Sequence, residues 1–183
     1  VGSGLPNPST EVSTVTDREV LEVIDLSLPS SGGGRPLLDR ISFRIRAGEI
    51  LGIAGVEGNG QAELVEAIMG MRPEATGQVE LNDKSIGDWS TRERRESGIG
   101  FIPEDRHRQG LLLDAPLWEN RVLGHQTRKP NVRGPFINRA GARADTERIV
   151  REYDVRTPSI DTLAGALSGG NQQKLIVGRE MSS

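Results

Sequence analysis

The sequence predicts an α/β chain: a mixed sheet with an antiparallel portion near the N-terminus, joined to a helical subdomain. Three observations carry that expectation. Two stretches, VLEVIDLSL and LLDRISFRI, alternate apolar and polar residues on either side of the turn-rich PSSGGGRP, as half-buried antiparallel strands do. The run EILGIAG at 49–55 is apolar, bounded by glycine and short, which suits a strand buried on both faces in a parallel arrangement. It leads through a glycine loop into Leu64, Val65, Ile68 and Met71 at helical spacing. Farther on, LSGGNQQKLIVGREM is a glycine turn opening a helix, with Leu175, Ile176 and Met181 on its buried side.

Taken in order, residues 1–18, VGSGLPNPSTEVSTVTDR, are rich in Ser, Thr, Pro and Gly with little apolar content, the composition of a linker. A folded domain is expected over 19–183. Gly70 and Pro73 supply the stop signals of the first helix. QVELN reads as a short strand, STRERRES as a polar helix, and GIGFIPED as a strand leaving into a loop. LWENRVLG and NRAGARADTERIVREYDV read as helices with polar outer faces.

Composition narrows the function. The 23 Lys and Arg residues are outnumbered by 26 Asp and Glu, so there is no cationic excess to neutralise a nucleic acid backbone, and nucleic acid is not an expected partner. The absence of cysteine removes disulfides, thiolate catalysis and cysteine metal sites. His107 and His125 have no metal-ligand spacing, and no metal site is expected in the chain. No apolar run approaches the roughly 18 to 20 residues of a membrane span. Work at a membrane would therefore need a partner that spans it.

Residues 55–62, GVEGNGQA, have the spacing of a phosphate-cradling loop, GxxxxGK[ST]. Gly55, Glu57, Gly58, Asn59, Gly60, Gln61 and Ala62 are the candidate site residues, but Gln61 stands where lysine belongs and Ala62 where the hydroxyl belongs. Inward-pointing N–H groups and the following helix dipole can nest an anion without any side chain. The lysine supplies the mobile positive charge on the β and γ phosphates, and the hydroxyl is a ligand of Mg²⁺. Gln61 can donate a hydrogen bond but cannot neutralise charge. A glycine turn packing a helix on a strand has the same pattern.

The second motif, LSGGNQQK, sets Ser168, Gly169 and Gly170 at a helix N-terminus, where a hydroxyl, unpaired N–H groups and the positive end of the dipole face outward. Alone it is an ordinary helix cap. Together, GEILGIAGVEGNGQAELVEAI, GIGFIPEDRHRQGLLLD and ALSGGNQQK resemble an ABC transporter nucleotide-binding domain of the P-loop NTPase class. More narrowly, they resemble the second ATPase half of bacterial importers for sugars and nucleosides that carry two such halves in one chain. The wording of GIAGVEGNGQAEL, IPEDRHRQGL and YDVRTPS is nearer the nucleoside importers.

The resemblance, which covers residues 19–183, implies an ATP-binding subunit with ATP and Mg²⁺ as cofactors, the Mg²⁺ mainly through a partner half. Residues 55–62 match the family's Walker A loop in degenerate form, and Glu104 stands at the position of the Q-loop glutamine. Ser168, Gly169, Gly170, Asn171 and Gln172 match the signature that completes, in trans, the ATP site of the partner half. The implied partners are that half, in a head-to-tail pair, a transmembrane permease and, indirectly, an external solute-binding protein. The implied place is the cytoplasmic face of the cell membrane. The loop Glu104, Asp105, Arg106, Arg108 is the implied contact with the permease, although by itself it reads as a solvated charged loop.

Two departures weigh against a competent site in this half. The tip PSSGGGRP lacks the aromatic on which the family stacks adenine. Walker B, its catalytic glutamate, the D-loop and the switch histidine belong after the signature helix, beyond Ser183, so no catalytic residue is assigned and this segment alone is expected to be inactive. Two other functions remain open: a non-transport ABC protein acting on nucleic acid, which would need an intact Walker A loop and a basic surface, and a structural half that binds no nucleotide.

Overall fold

The computed structural model describes residues 12–56 and 58–182. They fall into two compact units that divide between Trp89 and Ser90. In the first, β1 (Glu19–Leu28), β2 (Leu38–Arg46), β3 (Thr76–Leu81) and β4 (Lys84–Ser85) form one sheet in the order β2-β1-β3-β4, every neighbouring pair antiparallel. The expected hairpin is β1 and β2. Its alternation changes phase midway, because the register shifts between Val23 and Leu26, where Asp25 adopts a φ of 50°. One extra residue flips the face of everything after it, and this is why Val23, Leu26 and Leu28 are all buried.

Hydroxyl groups stand in for the ladder bonds that the bulge displaces: Ser42 Oγ accepts from Asp25 N at 2.8 Å, and Ser27 Oγ accepts from Arg40 N at 2.9 Å. On the other neighbour, β3 supplies Gly77 with a φ of 108°, and a Cβ there would lie 2.7 Å from Asp25 O. Only glycine lets β3 pass the bulge. Residues 1–11 of the expected linker lie outside the described residues. Thr16 N donates to Ala47 O and Ala47 N to Arg18 O, at 2.9 and 2.8 Å, so 16–18 lie along the end of β2.

Helix α1 (Gln61–Ile68) forms where the spacing predicts it. Leu64, Ala67 and Met69 are buried, whereas Val65 and Met71 are exposed, so the inward stripe is narrower than expected and shifted by two residues at its end. Gly70, with a φ of 73°, ends it.

The two strands expected at 49–55 and in GIGFIPED are not formed: among the described residues the only sheets are the antiparallel four-stranded one and a small hairpin. No parallel pairing occurs among the described residues, and the apolar run is exposed rather than buried, at 96% for Ile50, 53% for Ile53 and 70% for Val56. A fully apolar strand is ordered by non-local neighbours that take its N–H and C=O groups, and no strand among the described residues pairs with this one.

The second unit begins with α2 (Thr91–Glu96), closed by a reciprocal capping box in which Ser90 and Glu93 bond each other's backbone N–H. It continues with α3 (Leu117–Val122), the hairpin β5 (Val132–Arg133) and β6 (Phe136–Ile137), α4 (Arg139–Glu152) and α5 (Gly169–Met181). Leu111, Leu117, Ile149, Val155, Ala164, Leu167, Leu175 and Ile176 form its core. Helices α4 and α5 meet at Gly178, where a Cβ would lie 2.6 Å from Ile149 Cγ2 and 2.9 Å from Tyr153 Cδ2. Met181, expected inside, is 68% exposed, because the buried face of α5 ends with Arg179 and Glu180.

Charges are buried here too. Asp145 accepts from Arg121 Nε at 2.7 Å and from Arg148 Nη2 at 2.8 Å, and Arg121 and Asp145 are both buried. His125 is also buried, and burial, aided by the positive charge of Arg121, pushes its imidazole down to about 4. Above pH ~6.5 the ring is neutral folded or unfolded. As pH falls from there towards 4 only the unfolded chain takes up the proton, so stability is lost across that window, by about 3 kcal/mol at its end. Urea midpoints measured between pH 7 and 4 should show this loss, and His125→Gln should flatten it.

Candidate functional site

The glycine loop is held by short-range bonds. Asn59 N donates to Val56 O at 3.2 Å, and Leu64 N to Gly60 O at 2.8 Å, which starts α1. Gly60 sits at the N-cap with a φ of 98°, and a Cβ on it would lie 2.8 Å from Leu37 O, so glycine is required on both counts. Gln61 does not reach outward. Its Nε2 donates to Val56 O at 3.2 Å, and its amide lies against Gly55, where any Cβ would collide with it.

The first side chain of α1 is thus folded onto the loop that a phosphate would enter. Ala62 is exposed and offers no oxygen to a cation. Gly58 and Asn59 are exposed, and Glu57 lies outside the described residues. These residues do not fit Mg²⁺, and they offer ATP a partly occupied nest without a cation. Among the described residues no group of acidic and histidine side chains could hold a metal ion.

Glu104 is exposed. Beside it, Asp105 is a cap: its Oδ1 accepts from the backbone N–H of His107 and of Arg108, both at 3.1 Å, winding Arg106–Gly110 into a π-helical turn. Arg106 and His107 lean on α5. Arg106 Nε donates to Gln172 Oε1 at 3.2 Å, and His107 Nε2 lies 3.0 Å from the same oxygen.

Ser168 occupies the N-cap position of α5, with extended backbone, yet its side chain makes no capping bond. The ordinary explanation for a serine before a helix therefore does not apply. Its Oγ instead accepts from Asn171 Nδ2 at 3.0 Å, which leaves the hydroxyl hydrogen free to donate outward. Asn171 is itself fixed, since its Oδ1 accepts from Arg156 N at 2.9 Å. Ser168 and Gly170 are exposed and nothing lies within 4 Å of where a Cβ on Gly170 would be. The first-turn N–H groups of α5 have no intrahelical acceptors and stand beside that hydroxyl.

Gln172 is different. Its side chain turns inward at 4% exposure, and its Nε2 donates to Ala164 O at 3.1 Å. Of the five residues the sequence groups there, the structure brings Ser168, Gly169, Gly170 and Asn171 to one edge and points Gln172 away from it. Spacing could have shown this, because 172, 175, 176 and 179 recur on one helical face. The roles of Arg106, His107 and Arg156 had no such signal.

The ABC transporter family model matches residues 38–183. Among curated proteins, the chain is 45% identical over 163 residues to the guanosine import ATP-binding protein NupO of Bacillus subtilis, covering 89% of this chain and 32% of that protein. It is 39% identical over 162 residues to the nucleoside import ATP-binding protein NupA of Lactococcus lactis, covering 88% and 32%. The chain thus spans about a third of the length of these relatives. Among solved structures, a dimeric post-hydrolysis state of the ATP-binding cassette MJ0796 bound to ADP and Pi superposes with a TM-score of 0.71 at 20% identity, covering 88% of this chain and 69% of that one. The ADP conformation of the cassette MJ1267 gives 0.66 at 22%, covering 89% and 64%.

Proposed function

The chain belongs to the ABC transporter family, and we propose that it is part of the second nucleotide-binding half of an importer ATPase for nucleosides or sugars. In this reading it supplies Ser168, Gly169, Gly170 and Asn171 in trans to the ATP held by a partner half, while its own loop at 55–62 is degenerate. The observation that carries it is the uncapped hydroxyl of Ser168, held by Asn171 beside the open first turn of α5. A serine serving only the helix would spend its oxygen on the backbone N–H groups.

ATP with Mg²⁺ supplies the phosphoryl group and the metal charge at the partner's site. What this chain contributes there is a hydroxyl donor and helix N–H groups at a place where negative charge develops. Its own loop contributes geometry: Gln61 closes onto Val56 and Gly55, a neutral occupant where a cation belongs. The solute, the permease and the cytoplasmic face of the membrane belong to the same proposal. No helix among the described residues is long and apolar enough to cross a membrane.

The full-length protein assembled with its permease tests this. Gln61→Lys with Ala62→Ser should raise nucleotide occupancy of this half, read as a second bound ATP per tandem protein, with no gain in turnover. If the unaltered protein already holds two ATP molecules that are hydrolysed at equal rates, the reading fails.

A further inference from the structure

We propose that Gln172 is a positioning residue that locks the loop 104–110 to the first turn of α5, so that displacement of the loop is passed to the Ser168 edge. The proposal rests on the reading of that edge as a nucleotide contact and of the loop as the permease contact. It begins with the amide. Gln172 Nε2 donates to Ala164 O, in the single turn of 3₁₀ helix Ala164–Ala166 that precedes Ser168. This fixes which way the amide is turned and leaves Oε1 facing the loop. Both lone pairs of that oxygen are used, one by Arg106 Nε and one by His107 Nε2. His107 must therefore carry its hydrogen on Nε2, which is so in the protonated ring and in one neutral tautomer.

A second fastening lies farther along the same helix face. A Cβ on Gly110 would be 3.0 Å from Ile176 Cδ1, and Gly110 O accepts from Arg179 Nη1 at 2.9 Å. The turn Arg106–Gly110 is thus gripped at both ends by one face of α5, at 172 and at 176 and 179. At its N-terminal end, Asp105 caps the turn and holds it wound. A π turn of this kind is uncommon and recurs at functional sites.

The contact reaches the signature glycines directly, since Arg106 Nη2 lies 2.8 Å from where a Cβ on Gly169 would be. The loop cannot shift inward there without meeting the backbone of α5. Leucine at 172 would extend the apolar face of Leu175 and Ile176. The buried amide instead specifies where the loop sits, through two hydrogen bonds to the loop and a third to Ala164 O that orients it, which apolar packing cannot replace.

The test uses the full-length protein in lipid nanodiscs, with ATP turnover measured with and without the permease and their ratio as the readout. Gln172→Leu removes the lock from the helix side, and Arg106→Ala with His107→Ala removes it from the loop side. Each should lower the ratio about tenfold, within the range of allosteric coupling, and the triple variant should lower it no further than either. Ratios that stay at the unaltered value, or losses that multiply in the triple variant, overturn the proposal. Should Gln172→Leu fail to fold, the loop-side variant decides alone. A ratio of one in the unaltered protein instead refutes the underlying reading of loop and edge, and is thereby distinguished from failure of the lock.

Discussion

Ser168→Arg is expected to lower ATP turnover of the assembled transporter by about 10² to 10³-fold, the loss that follows removal of one donor aimed at developing charge. The substitution acts through geometry already in place. Ser168 Oγ is oriented by Asn171 Nδ2 and does not serve the helix, so its loss leaves α5 intact while bulk fills the exposed edge. Gln61→Ala is the matched control. Among the described residues its amide donates to Val56 O and lies against Gly55, so turnover should change less than about threefold, since on the proposed reading a neutral amide at a site that does not hydrolyse contributes little to the barrier. Steady-state hydrolysis and transport assays on both variants decide the matter. Equal losses would mean equivalent sites and would end the in-trans account.

Glu180→Ala is expected to destabilise the protein by about 3 to 5 kcal/mol, the range for breaking a buried ion pair by removing one partner. The carboxylate is the hub of the end of α5. It accepts from Arg95 Nη2 at 3.0 and 2.9 Å through its two oxygens, from Arg179 Nε at 2.8 Å, and from Phe101 N at 3.2 Å. Burial pushes its carboxyl up, but Arg179 and Arg95 outweigh that and hold it below the usual carboxylate range. Deletion leaves two guanidinium groups without their carboxylate, one of them buried. Glu180→Gln should cost less, because an amide oxygen still accepts. Denaturant midpoints for the two variants should rank in that order. A loss below about 1 kcal/mol for Glu180→Ala would show the cluster to be replaceable.

The elements made by local pattern were legible in the sequence. The hairpin of β1 and β2, α1 after the glycine loop, α4, and α5 after Leu167 stand where alternation, helical spacing and glycine punctuation put them. So were the two motifs: GxxxxG spacing with Gln61 and Ala62 in the cationic and hydroxyl places, and Ser-Gly-Gly at the head of α5. These signals depend on neighbours a few residues apart, and such neighbours are fixed by the chain itself.

Tertiary structure decided the rest, because the groups concerned meet across long separations. EILGIA has the composition of a buried strand, yet strand formation needs a ladder partner from elsewhere, and Ile50 and Ile53 stand exposed without one among the described residues. The bulge at Asp25 needs both Ser42 and the bare Cα of Gly77. Gln61 as an occupant of its own loop, Ser168 freed from capping by Asn171, and Gln172 bound to a loop 65 and 66 residues away are facts of side-chain direction. Sequence determined which donors, acceptors and glycines were available and in what local frame. Direction and pairing came only with packing, since an amide or a hydroxyl has several acceptable partners and only the folded chain presents one.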